Sequence, residues 1–285
     1  MGPGGLSLIP LEGGPPEFGV SAFESRPLFP SQSWLASGGQ ETVWTDVWVT
    51  NHIAQAVIAA GLVIGFWLLV SRRPQVVPGK RQFIGEYLYE MVRNGVARSI
   101  IGPEFRRYLP YLLALFSFIL INNLFGQFFL FMFPTFSKIG FAWGLAAASW
   151  ILYNGVGVKR YGLIKYFSKM TMPHGVPKPL LILVAPLEFI SNFLVRPLTL
   201  GLRLFANLFA GHLVIMVFVV GGSWLLWSTK ASSPDYSPIW NVAGGLSLLM
   251  SLAVFAIELL VGCLQAYIFT VLTAQYVSSS LAEEH

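Results

Sequence analysis

Few residues in this chain can move a proton, and they sit where charge is costly. Glu188, Arg196, Arg203 and His212 fall in one long apolar stretch, and Glu258 falls in the next. Ionisable side chains inside stretches of this kind are expensive to keep and mark ion or proton paths by default. Their spacing narrows the reading. Glu188, Asn192, Arg196, Thr199, Arg203 and Asn207 advance by four, four, three, four and four residues. On a continuous helix such steps return to one face, so the six form a polar stripe on an apolar rod. A polar stripe in lipid needs a protein partner, a water-filled path, or both.

In the following stretch Glu258 and Gln265 are seven residues apart and share a face. The two stretches run antiparallel. His212 lies nine residues beyond Arg203, roughly 13 Å along a helix. Glu258 lies seven residues outward of Gln265, roughly 10 Å by the same rise. With Gln265 beside Arg203, His212 and Glu258 reach similar depth. A histidine and a carboxylate at one depth form a proton-relay pair. His212 is about half a turn around from Arg203, so it lines a path beside the stripe.

Arg203 is the hardest of these to read as packing. It is mid-stretch, permanently charged, and has no carboxylate four residues away. Its partner must come from the last stretch or from another subunit. The others also admit plainer roles. Glu188 and Arg196 can snorkel or cap at the inner end. Asn192 and Thr199 can bond neighbouring helices, and His212 and Glu258 can be satisfied packing residues. His52, at the start of the first stretch, reads as a membrane-interface residue. The histidines are scattered without ligand spacing, so neither a metal nor a cofactor is expected.

The elements that position these residues follow from composition. Of the 285 residues 55% are hydrophobic and 11% charged, against roughly 25% charged in soluble domains. Five long apolar stretches run at about 52–70, 107–133, 139–158, 180–227 and 239–277. A span needs about 20 apolar residues. The expected fold is therefore all-α and polytopic, with five membrane-embedded helices. The last two are too long for a simple crossing and must tilt, curve or break, and Pro186 and Pro197 offer kinks. They form a hairpin over about 180–278. Between the first two spans, residues 82–101 place Phe83, Ile84, Tyr87, Leu88, Met91, Val92, Val96 and Ile100 on one helical face. Such a helix lies in the membrane interface. Residues 1–45 read as a polar Gly/Pro-rich tail without signal-peptide character, and 46–285 as one membrane domain. The single cysteine, Cys263, excludes an internal disulfide.

The basic residues concentrate in two connections, Arg72 to Arg107 and Lys159 to Lys178, while only Arg26, Lys138 and Lys230 fall on the other side. The positive-inside rule puts the N-terminus outside and the C-terminus in the cytoplasm. Trp224, Trp227 and Trp240 flank the last outside loop as an aromatic belt would. The net charge of +5 is thus mostly a topology signal, and no nucleic-acid partner is expected.

The run Arg196-Pro-Leu-Thr-Leu-Gly-Leu-Arg203-Leu-Phe-Ala-Asn207-Leu-Phe-Ala-Gly-His212, with Leu264-Gln265-Ala-Tyr-Ile-Phe-Thr-Val-Leu-Thr273 in the last stretch, resembles the signature helices of F-type ATP synthase subunit a. The likeness extends over the span order and leaves out only about the first 40 residues. It implies a non-nucleotide-binding stator subunit that couples proton flow to rotation of a c-ring. Its partners would be the c-ring, peripheral-stalk b subunits, protons and membrane lipid. Arg203 would face the carboxylate of each passing c-subunit and block a short circuit between two offset half-channels. Asn207 and Gln265 match polar residues beside that arginine. His212 and Glu258 match the outer half-channel pair, whose identities some members exchange between the helices. Arg196 and Thr199 match inner-side positions, with Glu188 and Asn192 joining them on the exit path. The implied location is the bacterial plasma membrane, with the mitochondrial inner membrane as the alternative.

Two departures stand out. Members often carry an acid after the Asn-Leu pair of the second span, where this chain has Asn123-Leu124-Phe125-Gly126, which weakens Asn123 and Gln127 as candidates. Glu188 precedes Arg203 by 15 residues, where many members have 14. One residue turns a side chain by about 100°, and a π-bulge in between would restore the bearing. The competing class is a proton-coupled secondary transporter, which predicts internal repeats; none is visible. A membrane-embedded enzyme using His212 and Glu258 predicts a nucleophile or metal motif nearby, and none is evident.

Overall fold

A computed structural model describes residues 50–72, 75, 79–127, 135–171, 178–227 and 238–282. The tail expected at 1–45 and the last three residues lie outside these. Among the described residues the regular structure is helical, without strands. The main helices are α1 (Asn51–Ser71), α2 (Lys80–Glu90), α3 (Phe105–Gln127), α4 (Ile139–Tyr161), α5 (Leu163–Thr171), α6 (Lys178–Ile190), α7 (Arg196–Trp227) and α8 (Pro238–Leu281). Five helical segments among the described residues are long and apolar enough to cross a membrane. Large apolar side chains on them face outward, Leu69, Leu183, Val242 and Leu252 among them, as lipid-facing surfaces require.

The helix expected at the membrane interface starts as α2 and continues as a π-helix over Met91–Ile101. Phe83, Ile84 and Tyr87 are exposed, whereas Val92, Val96, Ala97 and Ile101 are buried. The buried set steps by four, one and four, which suits the longer turn of i→i+5 bonding. Gly102, at φ +77°, ends this helix in a backbone region that glycine enters without a Cβ penalty. Pro103 follows in a single 3-10 turn, and α3 begins. Gly162, at φ +78°, plays the same part after α4. It lets the chain turn directly into α5, a short helix with Leu163, Ile164 and Phe167 exposed and Tyr166 buried.

The fourth long segment is not a plain α-helix. Between α6 and α7 lies a π-helical turn, Ser191–Val195, at the place where the 15-residue spacing of Glu188 and Arg203 calls for one. By contrast α8 runs 44 residues without interruption. At 1.5 Å per residue that is about 66 Å, roughly twice the hydrocarbon thickness, so tilt or curvature, and no break, has to absorb the excess.

The chain forms two compact units. Among the described residues the first comprises 50–58, 122–127, 135–137, 207–227 and 238–262, and the second 59–72, 75, 79–121, 138–171, 178–206 and 263–282. Within the first, α7 and α8 pack antiparallel. Gly222 meets Gly244 so closely that a Cβ on either would lie 3.0–3.1 Å from the other's carbonyl oxygen. Nearby, the Ser247 hydroxyl donates to Phe218 O at 2.8 Å. Within the second, Trp67 Nε1 donates to Ser117 Oγ at 3.0 Å, tying α1 to α3. Tyr111 and Ser149 hydroxyls, 3.0 Å apart, join α3 to α4.

Candidate proton path

In the first unit His212 and Glu258 meet, Nδ1 against Oε1. Gly211 makes room for this, because a Cβ there would fall 2.7 Å from the Glu258 carboxyl carbon. His212 Nε2 donates to Gly126 O at 2.9 Å. A carbonyl oxygen can only accept, so Nε2 carries a hydrogen. The proton between Nδ1 and Oε1 then sits on either partner: imidazolium with carboxylate, or neutral imidazole with carboxylic acid. The pair is built to hold one mobile proton.

The end of α3 completes this site. Asn123 Nδ2 donates to Gly262 O at 2.8 Å, one turn along α8 from Glu258. Asn123 Oδ1, Gln127 Nε2 and Glu258 Oε2 are buried without a hydrogen-bond partner among the described residues. Such atoms cost about 1–3 kcal/mol each when left dry and are ordinarily served by internal water. The end of α3 thus supplies a carbonyl and two amides. Sequence reasoning underweighted it because a backbone acceptor leaves no side-chain signal.

In the second unit the polar stripe divides. Thr199 and Arg203 are exposed, while the neighbouring Leu200 and Leu204 on α7 are buried. The Arg203 side chain has no hydrogen bond or ion pair among the described residues. Thr199 bonds back to its own helix, to Val195 O at 2.8 Å and Arg196 O at 3.1 Å. Asn207, one turn beyond Arg203, is half-buried. Gln265 is buried on α8.

Glu188, Asn192 and Arg196 turn inward instead. Asn192 Nδ2 donates to Glu188 Oε2 at 3.2 Å and to Met170 O at 2.7 Å. Arg196 lies over the Tyr276 ring, 5.3 Å from its centroid, and donates to Ser279 Oγ at 3.4 Å. The π turn explains the division. Its extra residue shifts the phase between α6 and α7, and it frees carbonyls that side chains from α4 take up. Trp150 Nε1 donates to Phe193 O at 3.1 Å, and the Tyr153 hydroxyl donates to Asn192 O at 3.4 Å. Below them Tyr166 on α5 donates to Asn154 Oδ1 at 3.0 Å. Burial pushes its phenol above the ordinary tyrosine range, which keeps it a donor. His52, expected at the interface, is buried. No group of three or more metal-ligating side chains occurs among the described residues.

The comparisons with known proteins agree on one family. A family model for the ATP synthase A chain matches residues 53–278. The chain belongs to that family. It is 45% identical over 237 residues to the ATP synthase subunit a of a Nocardioides species, covering 83% of each chain. To that of Pseudarthrobacter chlorophenolicus it is 43% identical, over 83% of this chain and 86% of the relative. The subunit of Streptomyces lividans is 32% identical over 86% and 85%. With five spans among the described residues, this family member is a multi-pass integral membrane protein.

Proposed function

We propose that the chain is the stator subunit a of a rotary F-type ATP synthase, carrying two offset proton half-channels against a c-ring. The observation that supports this best is Arg203: permanently charged, mid-helix in a membrane span, exposed, and unpaired among the described residues. Such a charge in lipid is untenable without an outside partner. A carboxylate on each passing c-subunit supplies one, and the arginine in turn favours its ionised form. Away from Arg203 the same carboxylate enters lipid only when protonated.

Protons enter through His212 and Glu258, with Asn207 and Gln265 toward the arginine. They leave past Thr199, Arg196, Asn192 and Glu188. Because the two paths do not meet, a proton completes its transit only by riding the ring, and that couples flow to rotation. The subunit binds no nucleotide and performs no bond chemistry itself. Peripheral-stalk b subunits hold it still against the ring.

The test is a cross-link. A cysteine replacing Ala206, exposed beside Arg203, should form a disulfide with a cysteine placed next to the c-subunit carboxylate. A cysteine replacing Leu204, buried within the subunit, should not. Assembled complex in which Ala206→Cys never cross-links would remove the ring from this face.

A further inference from the structure

A groove in the second unit has chemistry that the proton path does not use. It lies between the start of α3 and the end of α4 and holds about 490 Å³. Glu104, Arg107, Lys159 and Arg160 line its charged end. Glu104 pairs with Arg160 at 2.6 Å. Arg107 and Lys159 are exposed and have no ion pair or hydrogen bond among the described residues. The charged end therefore carries an uncompensated positive charge on two side chains.

The rest of the groove is apolar. Ile151, Leu152 and Val156 line it, and Ile151 is 64% exposed. Gly155 forms part of the floor, and a Cβ added there would meet nothing within 4 Å. From Lys159 back to Ile151 is eight residues, about 12 Å along the helix. The cations thus sit at the membrane-facing end of a span, and the apolar part runs from them into the hydrocarbon.

We propose that this groove binds an anionic phospholipid, its phosphate held by Arg107 and Lys159 and an acyl chain laid over Gly155 along Ile151 and Val156. Charge complementarity selects an anionic headgroup over a zwitterionic one. The apolar length selects a lipid over free phosphate, which would leave that surface uncovered. Basic pockets between membrane helices on the cytoplasmic side are a recurrent form of headgroup site, and the basic connections belong to that side by charge bias. The proposal rests on α4 crossing the membrane and not on the proton-path assignments, so the two fail separately.

The experiment uses the assembled complex in bilayers of phosphatidylcholine with a trace of diazirine-bearing probe lipid, either phosphatidylglycerol or phosphatidylcholine. After irradiation the labelled peptide covering α4 is quantified. Phosphatidylglycerol should label it and phosphatidylcholine should give background. Arg107→Gln with Lys159→Gln should cut labelling by about fivefold per charge. The charge-preserving Arg107→Lys with Lys159→Arg should retain it. Gly155→Leu, which fills open space and keeps both cations, should also cut it, and it serves where the glutamine pair fails to assemble. Equal labelling by the two probes, labelling indifferent to these variants, or a neighbouring protein helix cross-linked in the groove would each overturn the proposal.

Discussion

At the scale of single residues, the account depends on one proton and one fixed charge. His212 holds the first because its other ring nitrogen is committed to Gly126 O, so every change at Nδ1 is an exchange with Glu258. Gly211 is part of that device, since any side chain there meets the Glu258 carboxyl. Glu258→Gln and Gly211→Ala should therefore both impair coupling, to different degrees. The first removes the exchangeable proton, and the second displaces its holder. Proton-driven ATP synthesis in vesicles should fall by about 100-fold for Glu258→Gln, the lower range for loss of a positioned proton-transfer group. Gly211→Ala should fall less, with assembly unchanged in both. Normal rates in Glu258→Gln would take the pair out of the path.

Elements explain why some of this was legible beforehand. The five spans stand out because about 20 apolar residues leave little choice of structure in lipid. The meeting of His212 with Glu258 follows from counting residues along two antiparallel helices. What escaped notice has physical reasons too. α5 has nine residues, too few for a helical period to emerge. The π-helix of Met91–Ile101 hides inside a stripe that also fits an α-helix. The partnership of Gly126 with His212 uses a backbone oxygen. The π turn at Ser191–Val195, in contrast, lies where the 15-residue spacing of Glu188 and Arg203 points to a bulge, and it yields a prediction. Deleting Leu194, an exposed residue of that turn, should convert it to plain α-helix while keeping the bearing of Glu188 on Arg203, and coupled activity should largely survive. Inserting an alanine after Leu200 turns Arg203 by about 100° relative to α6 and should abolish coupling. ATP-driven proton pumping in inverted vesicles reads both. Equal loss in the two variants would mean that the bearing does not matter.

For the whole molecule, charge bias assigns direction. It predicts that Arg72 to Arg107 and Lys159 to Lys178 face the cytoplasm and that the connection holding Lys230 faces outward. A cysteine at Gly79, in a chain whose Cys263 is replaced by serine, should react with a membrane-impermeant maleimide in inverted vesicles only. One at Ser232 should react in right-side-out vesicles only. The reverse pattern would exchange entry and exit for the two proton paths.

The central claim is that Arg203 is the charge that couples proton flow to the ring, and one variant tests it most directly. Arg203→Ala is made in a complex shown to assemble, and ATP-driven proton pumping and proton-driven ATP synthesis are measured in inverted membrane vesicles. The account predicts that both are lost. Normal coupled activity in either direction would contradict it.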